Sequence, residues 1–271
     1  MIEIEDLRAR QGDFFLEVPR LYLRPGELVA VCGNNGSGKS TFLSVLAGGK
    51  DYSGRYYLKG IPFREWNLKK RAQQISFLPQ EGAVNMPFEV AYVVLTGRFP
   101  WIESRKGYTP EDQEKVEEIL KCFDLIELKQ RPFNELSGGE KRRVLLARAL
   151  VREARVILLD EPFSAVDLKH QHRIMKFLKK IGQKTLVIVV IHDLNLALRH
   201  FDRFLFFKRG KLVYDLSRAE IKADKLSRVF EVPIEIIVCA NQFMVEVSNE
   251  EVCGAGEPGG VGRMDGGKLC L

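Results

Sequence analysis

The sequence has no long apolar run and no leader-like start, and these absences limit the classes of protein to which it can belong. No apolar run among its 271 residues is longer than the segment 186–191, whereas a membrane-spanning helix needs roughly 18 or more apolar residues. Residues 1–6 are acidic and alternate with apolar positions, unlike the basic start and apolar stretch of a signal peptide. We therefore expect no transmembrane helix and a protein on the cytosolic side.

Cysteine is scarce, and its spacing favours neither zinc nor disulfides. The number of cysteines is odd, and no pair has the separation typical of a zinc site. Reduced thiols are expected, as in the cytosol. The five cysteines are Cys32, Cys122, Cys239, Cys253 and Cys270.

The charge balance is basic but does not identify a partner by itself. The formal net charge is +6, which suits nucleic acid, an anionic membrane surface or an ordinary solvated surface. Hydrophobic residues make up 45% of the chain, so it can bury a sizeable core and is not globally disordered.

Strand and helix patterns alternate along most of the chain and predict an α/β fold. Residues 1–30 carry short alternating runs around a Pro-Gly turn, which are typical of antiparallel strands. Continuous apolar runs at 28–32, 156–159 and 186–191 are typical of strands buried on both faces. The helical patterns between them predict a mainly parallel sheet covered by helices.

The middle of the chain has a different character. Strand patterns disappear, and residues 112–123 form an amphipathic helical pattern preceded by Thr109 and Pro110, which signal a helix start. We predict a nucleotide-binding core from 1–80 and 151–240, an inserted helical subdomain from 81–150, and a C-terminal extension from 241–271 that is glycine-rich and mobile from residue 253.

A phosphate-binding loop follows the first buried strand and opens a helix, which is the context that the pattern GxxxxGK[ST] requires. Its backbone amides can curl around phosphate oxygens, and the helix N-terminus favours an anion. Lys39 should reach the β- and γ-phosphates, and Ser40 should ligate Mg²⁺. The residues assigned to ATP binding are Gly33, Asn34, Asn35, Gly36, Ser37, Gly38, Lys39, Ser40 and Thr41.

A second motif places two carboxylates at the end of a buried strand. Residues 156–159 are apolar and are followed by Asp160 and Glu161. On the same sheet as a phosphate loop, Asp160 suits a position near Mg²⁺, and Glu161 suits a general base that polarises the attacking water.

The third motif, Leu136-Ser137-Gly138-Gly139-Glu140, resembles the signature sequence of ABC ATPases, with Glu140 where glutamine is more common. The resemblance covers about residues 1–240 and implies a P-loop NTPase fold of the ABC cassette type, with an antiparallel N-terminal sheet beside the parallel core. It also implies a homodimer, in which Ser137, Gly138, Gly139 and Glu140 contact the ATP held by the other subunit.

The resemblance assigns roles to three further residues. Gln80 looks like the loop glutamine that contacts Mg²⁺ and water, Asp167 like the residue that crosses the dimer interface, and His192 like the switch histidine on the γ-phosphate. The implied cofactors are ATP and Mg²⁺. The implied catalytic residues are Glu161, His192 and Gln80, and the implied Mg²⁺ ligands are Ser40, Gln80 and Asp160, the last through water.

The adenine contact departs from the family pattern. ABC ATPases often stack an aromatic side chain on adenine from the loop after the first strand, and that position holds Gln11. Phe14 or Phe15 could take over this contact, or either could belong to the core. The choice stays open at this point.

The architecture and one segment favour a membrane importer. The chain resembles a single cassette with neither fused membrane helices nor the coiled-coil insertion of repair ATPases. Residues 86–90, 95–100 and 191–197 resemble the ATPases of importers for iron–siderophore, haem and cobalamin. The implied partners are integral membrane permease subunits and, indirectly, a substrate-binding protein, with the chain peripheral on the cytoplasmic face of the membrane. Nucleic acid is not expected, although a soluble ABC ATPase in repair, assembly or a nucleic-acid process stays the alternative.

A groove near Gln80 and residues 86–101 is the expected docking site for a cytoplasmic helix of the permease. Such a groove would move as the dimer closes around ATP. The apolar side chains of this segment could equally be core residues, so the two interpretations stay open.

Overall fold

This computed structural model describes residues 1–80, 87–103, 107–239 and 242–247. Met86, in the expected docking segment, and the glycine-rich residues from 253 lie outside the described residues. The strands are β1 (Ile2–Gln11), β2 (Phe14–Leu23), β3 (Leu28–Cys32), β4 (Ser53–Leu58), β5 (Ile61–Pro62), β6 (Ile75–Leu78), β7 (Val156–Asp160), β8 (Leu186–Val190), β9 (Arg203–Lys208), β10 (Lys211–Ser217), β11 (Ile234–Cys239) and β12 (Gln242–Val247). The helices are α1 (Lys39–Leu46), α2 (Leu68–Gln74), α3 (Val90–Leu95), α4 (Pro110–Cys122), α5 (Gly138–Leu150), α6 (Leu168–Gly182), α7 (Leu194–His200) and α8 (Ala223–Phe230).

Ten strands form one mixed sheet in the order β5-β4-β1-β2-β10-β9-β3-β8-β7-β6. The neighbours from β9 to β6 are parallel, and β1, β2, β4 and β5 are antiparallel. Strand β10 joins the two halves, since it runs antiparallel to β9 and parallel to β2. The sheet therefore has the parallel core and the antiparallel N-terminal part that the sequence predicts.

The parallel strands are buried on both faces. In β7, Ile157 and Leu159 belong to one apolar cluster, whereas Val156 and Leu158 belong to a second cluster on the opposite face. Successive side chains of a strand point to opposite faces, so a strand covered on both sides needs a continuous apolar run. The first cluster continues into α3, α4 and α5.

Helical segments and loops make up the described part of residues 87–150. No strand is present in this described part, and one isolated β-bridge joins Glu89 to Pro132. Helix α4 begins at Pro110 because Thr109 caps it: the Thr109 hydroxyl accepts a hydrogen bond from the Asp112 amide, and the Asp112 carboxylate accepts one from the Thr109 amide. These reciprocal bonds satisfy amides that a helix start leaves unpaired.

A buried ion pair ties the helices of this segment together. The side chains of Arg98 and Asp112 are 7% and 9% exposed, with Nε and Oδ1 2.7 Å apart, and Arg98 also donates to the Val151 carbonyl at 3.0 Å. Burial would raise the pKa of Asp112, but hydrogen bonds from Thr109 and Arg98 outweigh it and lower the pKa. The stability from this lowered pKa is present at neutral pH and is lost as the pH falls through it.

A two-stranded sheet of β11 and β12 was not predicted from the sequence. It packs on α7, where the Asn195 side chain donates to the Val245 carbonyl at 3.3 Å and accepts from the Val245 amide at 2.7 Å. The signal that could have found this sheet is the apolar character of residues 234–238 and 243–247 on either side of a short spacer.

We expect Asp112→Asn to lower the free energy of unfolding by about 3 kcal/mol, because it removes the buried carboxylate beside the Arg98 guanidinium and leaves the half-exposed Glu153, 3.0 Å from Nη1, as the remaining described counter-charge. Urea denaturation at neutral pH would measure the loss. The control is Glu111→Gln, whose carboxylate is 72% exposed and pairs with Lys115 four residues away, so that its loss should stay below about 1 kcal/mol. Equal losses in the two variants would contradict the structural role of the Arg98–Asp112 pair.

Candidate active site at the carboxyl ends of the parallel strands

A cleft of about 680 Å³ lies where the parallel strands of the sheet end. Parallel strands bring their carboxyl ends to one edge of the sheet, and the segments that follow them meet there. The residues that line the cleft are Gln11, Phe14, Asn35, Gly36, Gly38, Lys39, Ser40, Thr41, Gln80, Glu161 and His192.

The phosphate loop runs from the end of β3 to the start of α1, and its conformation depends on glycine. Gly33 has φ 144°, and a Cβ at this position would lie 2.1 Å from the Phe207 carbonyl oxygen. No side chain fits this approach, so the loop can leave β3 only through a glycine.

Lys39 points back into the phosphate loop. It is 5% exposed, and its Nζ donates to the carbonyls of Gly33 at 2.8 Å and Asn34 at 2.9 Å. Burial lowers the pKa of Lys39, and the nearby Glu161 and Asp160 partly offset that effect. The ammonium is therefore held inside the loop, where a phosphate would compete with carbonyl oxygens for its protons.

Asp160 ends β7 as a buried carboxylate with an unused oxygen. It is 2% exposed, and its Oδ1 has no hydrogen-bond partner within the part of the chain that the structure describes. Burial raises the pKa of Asp160, while a hydrogen bond from the Ser40 side chain lowers it. An unpaired buried carboxylate oxygen beside the phosphate loop is a ready ligand for a cation.

Glu161 and His192 follow two neighbouring strands, β7 and β8, and their side chains are in contact with each other. The Glu161 Oε1 lies 2.6 Å from the His192 Nε2. Their side chains are 16% and 43% exposed, so both remain open to a ligand. Gln80, which follows β6, lines the same cleft.

Three residues predicted to bind ATP do not line the cleft. Gly33 is packed against the backbone of Phe207, and the Asn34 amide donates to the Phe230 carbonyl at 3.2 Å. Ser37 is 3% exposed, and its hydroxyl has no hydrogen-bond partner among the described residues. Gly33 and the side chains of Asn34 and Ser37 therefore face away from the cleft, although the loop amides remain part of the predicted phosphate site.

The family model described as ABC transporter matches residues 16–164, which span the phosphate loop, the signature sequence and the acidic end of β7. The chain belongs to the ABC transporter family. It is an ATPase that binds ATP, which confirms the family and the activity predicted from the motifs.

Curated relatives of this ABC protein include hemin import ATP-binding proteins. The chain is 37% identical to HmuV of Rhodococcus jostii over 232 residues, which cover 84% of this chain and 79% of that protein. It is 35% identical to HmuV of Vibrio cholerae over 216 residues, which cover 77% and 82%.

Solved structures share the fold. One, assigned to a metal-chelate type of ABC transporter in an inward-facing conformation, has a TM-score of 0.75 and 25% identity, and covers 91% of this chain and 96% of that one. Another is a dimeric ATP-binding cassette in a post-hydrolysis state with ADP and Pi, with a TM-score of 0.71 and 29% identity, covering 80% and 99%. The predicted fold class is confirmed.

The signature residues lie away from the nucleotide cleft of their own ABC subunit. Ser137 caps α5, and its amide and hydroxyl donate to the Glu140 carboxylate at 2.8 and 2.7 Å. Glutamate at this position therefore completes a capping box and gives the turn a defined shape. A Cβ on Gly139 would lie 2.7 Å from the Ala165 carbonyl, so this turn packs closely against the loop that leads to Asp167.

Asp167 is also outside the cleft and caps α6. Its carboxylate accepts from the His170 amide at 3.0 Å and contacts the His170 Nδ1 at 2.7 Å. This first hydrogen bond lowers the pKa of Asp167. The carboxylate is thus held charged at the surface next to the signature turn.

The residues considered for adenine divide between two environments. Gln11 and Phe14 both line the cleft, and the Thr41 hydroxyl donates to the Gln11 Oε1 at 3.3 Å. Phe15 is 61% exposed, and the Arg10 guanidinium carbon lies 5.1 Å from the centroid of the Phe15 ring. Phe14 is therefore the aromatic side chain that can reach a nucleotide in this cleft.

Sequence reasoning missed Arg142, which is buried next to the site without lining it. Its guanidinium donates to backbone carbonyls that follow β6 and end β7. The sequence does place an arginine near the start of a helix that packs on the sheet, and a buried arginine must find hydrogen-bond acceptors. The spacing of residues does not show which carbonyls those acceptors are.

We expect Lys39→Ala to weaken ATP affinity by about 10- to 100-fold, because it removes a charged hydrogen-bond donor from the phosphate loop. Titration with a fluorescent ATP analogue would measure the affinity. Lys50→Ala, a change just beyond the end of α1 and outside the cleft lining, should leave the affinity unchanged. A Lys39→Ala chain that binds as tightly as the wild type would contradict the assignment.

Proposed function

We propose that this chain is the ATP-hydrolysing subunit of a membrane importer for a metal chelate, with haem as the favoured cargo class. The observation that carries the proposal is the arrangement of one cleft. The phosphate loop and the Glu161–His192 pair line it, and the Asp160 carboxylate lies beside the phosphate loop. The hemin import relatives and the metal-chelate type transporter support the cargo class.

The phosphate loop binds the triphosphate through its backbone amides and the positive end of α1. Lys39 exchanges its contacts with the loop carbonyls of Gly33 and Asn34 for phosphate oxygens. This exchange is favourable because a buried ammonium interacts more strongly with an anion than with neutral carbonyls. Phe14, and not the exposed Phe15, provides the apolar contact for adenine.

The residues present fit a Mg²⁺ ion that accompanies ATP. The unpartnered Oδ1 of Asp160, the Ser40 hydroxyl and the Gln80 side chain supply the oxygen ligands that Mg²⁺ prefers. Asp160 would hold the ion through water. When bound, the ion neutralises charge on the β- and γ-phosphates.

Glu161 is the general base and His192 holds the γ-phosphate. The carboxylate of Glu161 accepts a proton from the attacking water and raises its nucleophilicity. Its hydrogen bond to His192 keeps the two groups on one side of the cleft. His192 donates to a γ-phosphate oxygen when the nucleotide is bound, and Gln80 orients the water.

Hydrolysis requires a second copy of the chain. The turn of Ser137 to Glu140 caps a helix and suits an anion, yet in one chain it lies outside the cleft lining. Two subunits facing each other would place this turn on the γ-phosphate held by the partner, with Asp167 at the interface. The dimeric ATP-binding cassette with ADP and Pi supports this arrangement.

The helical subdomain is the proposed docking surface for a permease. Four large apolar side chains of this segment are exposed, namely Phe88 at 48%, Tyr92 at 46%, Phe99 at 69% and Trp101 at 39%. Such a group on one segment marks an interaction surface. Among the described residues, no helix is long and apolar enough to cross a membrane, and we propose that the permease subunits hold this chain on the cytoplasmic face of the membrane.

The proposed domains follow the same division. Residues 1–80 and 151–240 form the nucleotide-binding core, and residues 81–150 form the helical subdomain that meets the permease. The extension from 241 adds β12, which is attached to the core through Asn195. A substrate-binding protein would deliver the chelate to the permease, without contact with this chain.

We expect Glu161→Gln to reduce ATP hydrolysis by at least ~100-fold, because the amide cannot accept the proton of water, and to trap an ATP-bound dimer. Steady-state phosphate release and size-exclusion chromatography with ATP would measure the two effects. Glu114→Gln, on the exposed surface of α4, should change neither. A Glu161→Gln chain with the wild-type rate would refute the general-base role.

Importer function is tested by purifying the tagged chain from mildly solubilised membranes of its host and identifying the partners by mass spectrometry. We expect a polytopic membrane protein in stoichiometric amount. Phe99→Ser should reduce its recovery, whereas Ile61→Ser should not, since Ile61 is 44% exposed and lies on β5, at the other end of the sheet order from β6. Recovery only from the soluble fraction, or together with nucleic acid or assembly factors, would favour the alternative of a soluble ABC ATPase.

A further inference from the structure

Arg142 lies in the second turn of α5, yet its side chain reaches the ends of two strands of the sheet. Its Nη1 donates to the main-chain carbonyls of Pro79 at 3.0 Å and Gln80 at 3.2 Å. Its Nη2 donates to the carbonyls of Asp160 and, at 2.8 Å, Glu161. The residue is 8% exposed, so these bonds are shielded from water.

The guanidinium occupies the place where the ladder between β6 and β7 ends. The parallel pairing stops one position before Pro79 and Asp160, and it cannot continue through Pro79, which has no N–H group to donate. The carbonyls of the two diverging segments therefore need other donors. A planar guanidinium carries its N–H groups in a fixed fork and can serve both segments at once.

The two segments carry groups that face the nucleotide. Gln80 lines the cleft, and Glu161 contacts His192. The backbone of Glu161 has φ 50°, a left-handed conformation that a residue with a Cβ adopts only when its surroundings hold it there. The carbonyl bonds of Arg142 are part of those surroundings.

We propose that Arg142 is a positioning residue for ATP hydrolysis. Its side chain sets the separation of the Gln80 and Glu161 backbones, and it joins both to the helix that begins with the signature turn. When the partner's ATP engages Ser137, a displacement of α5 is passed through one side chain to both hydrolytic groups. The inference rests on the hydrolytic role of Glu161 proposed above.

Arg143, the next residue, provides a matched control. It is 9% exposed, and its Nη1 donates to the carbonyls of Phe123 at 2.8 Å and Asp124 at 3.1 Å. These acceptors follow α4, outside the cleft lining. The two arginines therefore share a helix, a degree of burial and a type of bond. They differ in that Arg142 bonds the backbone of residues that line the cleft, whereas Arg143 does not.

The experiment compares Arg142→Lys and Arg142→Gln with Arg143→Lys and Arg143→Gln in the full chain. A lysine ammonium or a glutamine amide cannot span four carbonyls in two segments. We expect kcat for ATP hydrolysis to fall about 10- to 100-fold in the Arg142 variants, as for a misplaced catalytic group, with KM changed by less than about threefold. The Arg143 variants should keep kcat within about threefold of the wild type, and melting temperatures should fall similarly in both series.

A second measurement separates positioning from nucleotide engagement. In the Glu161→Gln background, Arg142→Lys should still form the ATP-dependent dimer, because the signature turn and the phosphate loop are unchanged. Loss of that dimer, or equal loss of kcat in the Arg142 and Arg143 variants, would overturn the assignment to Arg142 while leaving the ATPase mechanism in place. A wild-type chain without ATP hydrolysis would overturn the mechanism, and with it this inference.

Discussion

The site depends on the parallel ladder that joins β3, β8, β7 and β6. The phosphate loop leaves β3, His192 follows β8, Glu161 follows β7 and Gln80 follows β6, so the register of the ladder decides how close these groups lie. A shift of one residue would turn the apolar side chains of a strand to the wrong face. Because both faces are buried, the register of these strands is held firmly.

The charges in the cleft are only partly compensated by the protein. Lys39 donates to two neutral carbonyls, and one oxygen of the Asp160 carboxylate has no hydrogen-bond partner among the residues described. Burial makes a charged group costly unless it is paired, so the folded chain leaves both groups with unused capacity. In the proposed function, a triphosphate with its cation would supply the opposite charges to both groups, and the same imbalance would favour this ligand.

Buried arginines join the parts of this molecule that the backbone hydrogen bonds do not. Arg98 links α4 to the end of α5, within the helical segment. Arg142 links the start of α5 to the ends of β6 and β7, across the boundary between helices and sheet. The first kind of link joins helices within the helical segment, and the second is the proposed route by which movement of α5 would reach Gln80 and Glu161.

The fold class, the phosphate loop, the strand-end acids and the signature turn could be predicted from the sequence, because each depends on contiguous residues or on a short apolar period. The choice between Phe14 and Phe15 as a residue of the cleft could not be predicted, since it depends on which way each side chain faces once β2 is paired. The packing of β12 on α7 joins residues 50 positions apart. The role of Arg142 depends on where β6 and β7 diverge in space. Such contacts form between segments that are distant in the chain. Local patterns therefore determined which residues are candidates for the site, and only the tertiary structure decided which backbone and side-chain contacts position those residues.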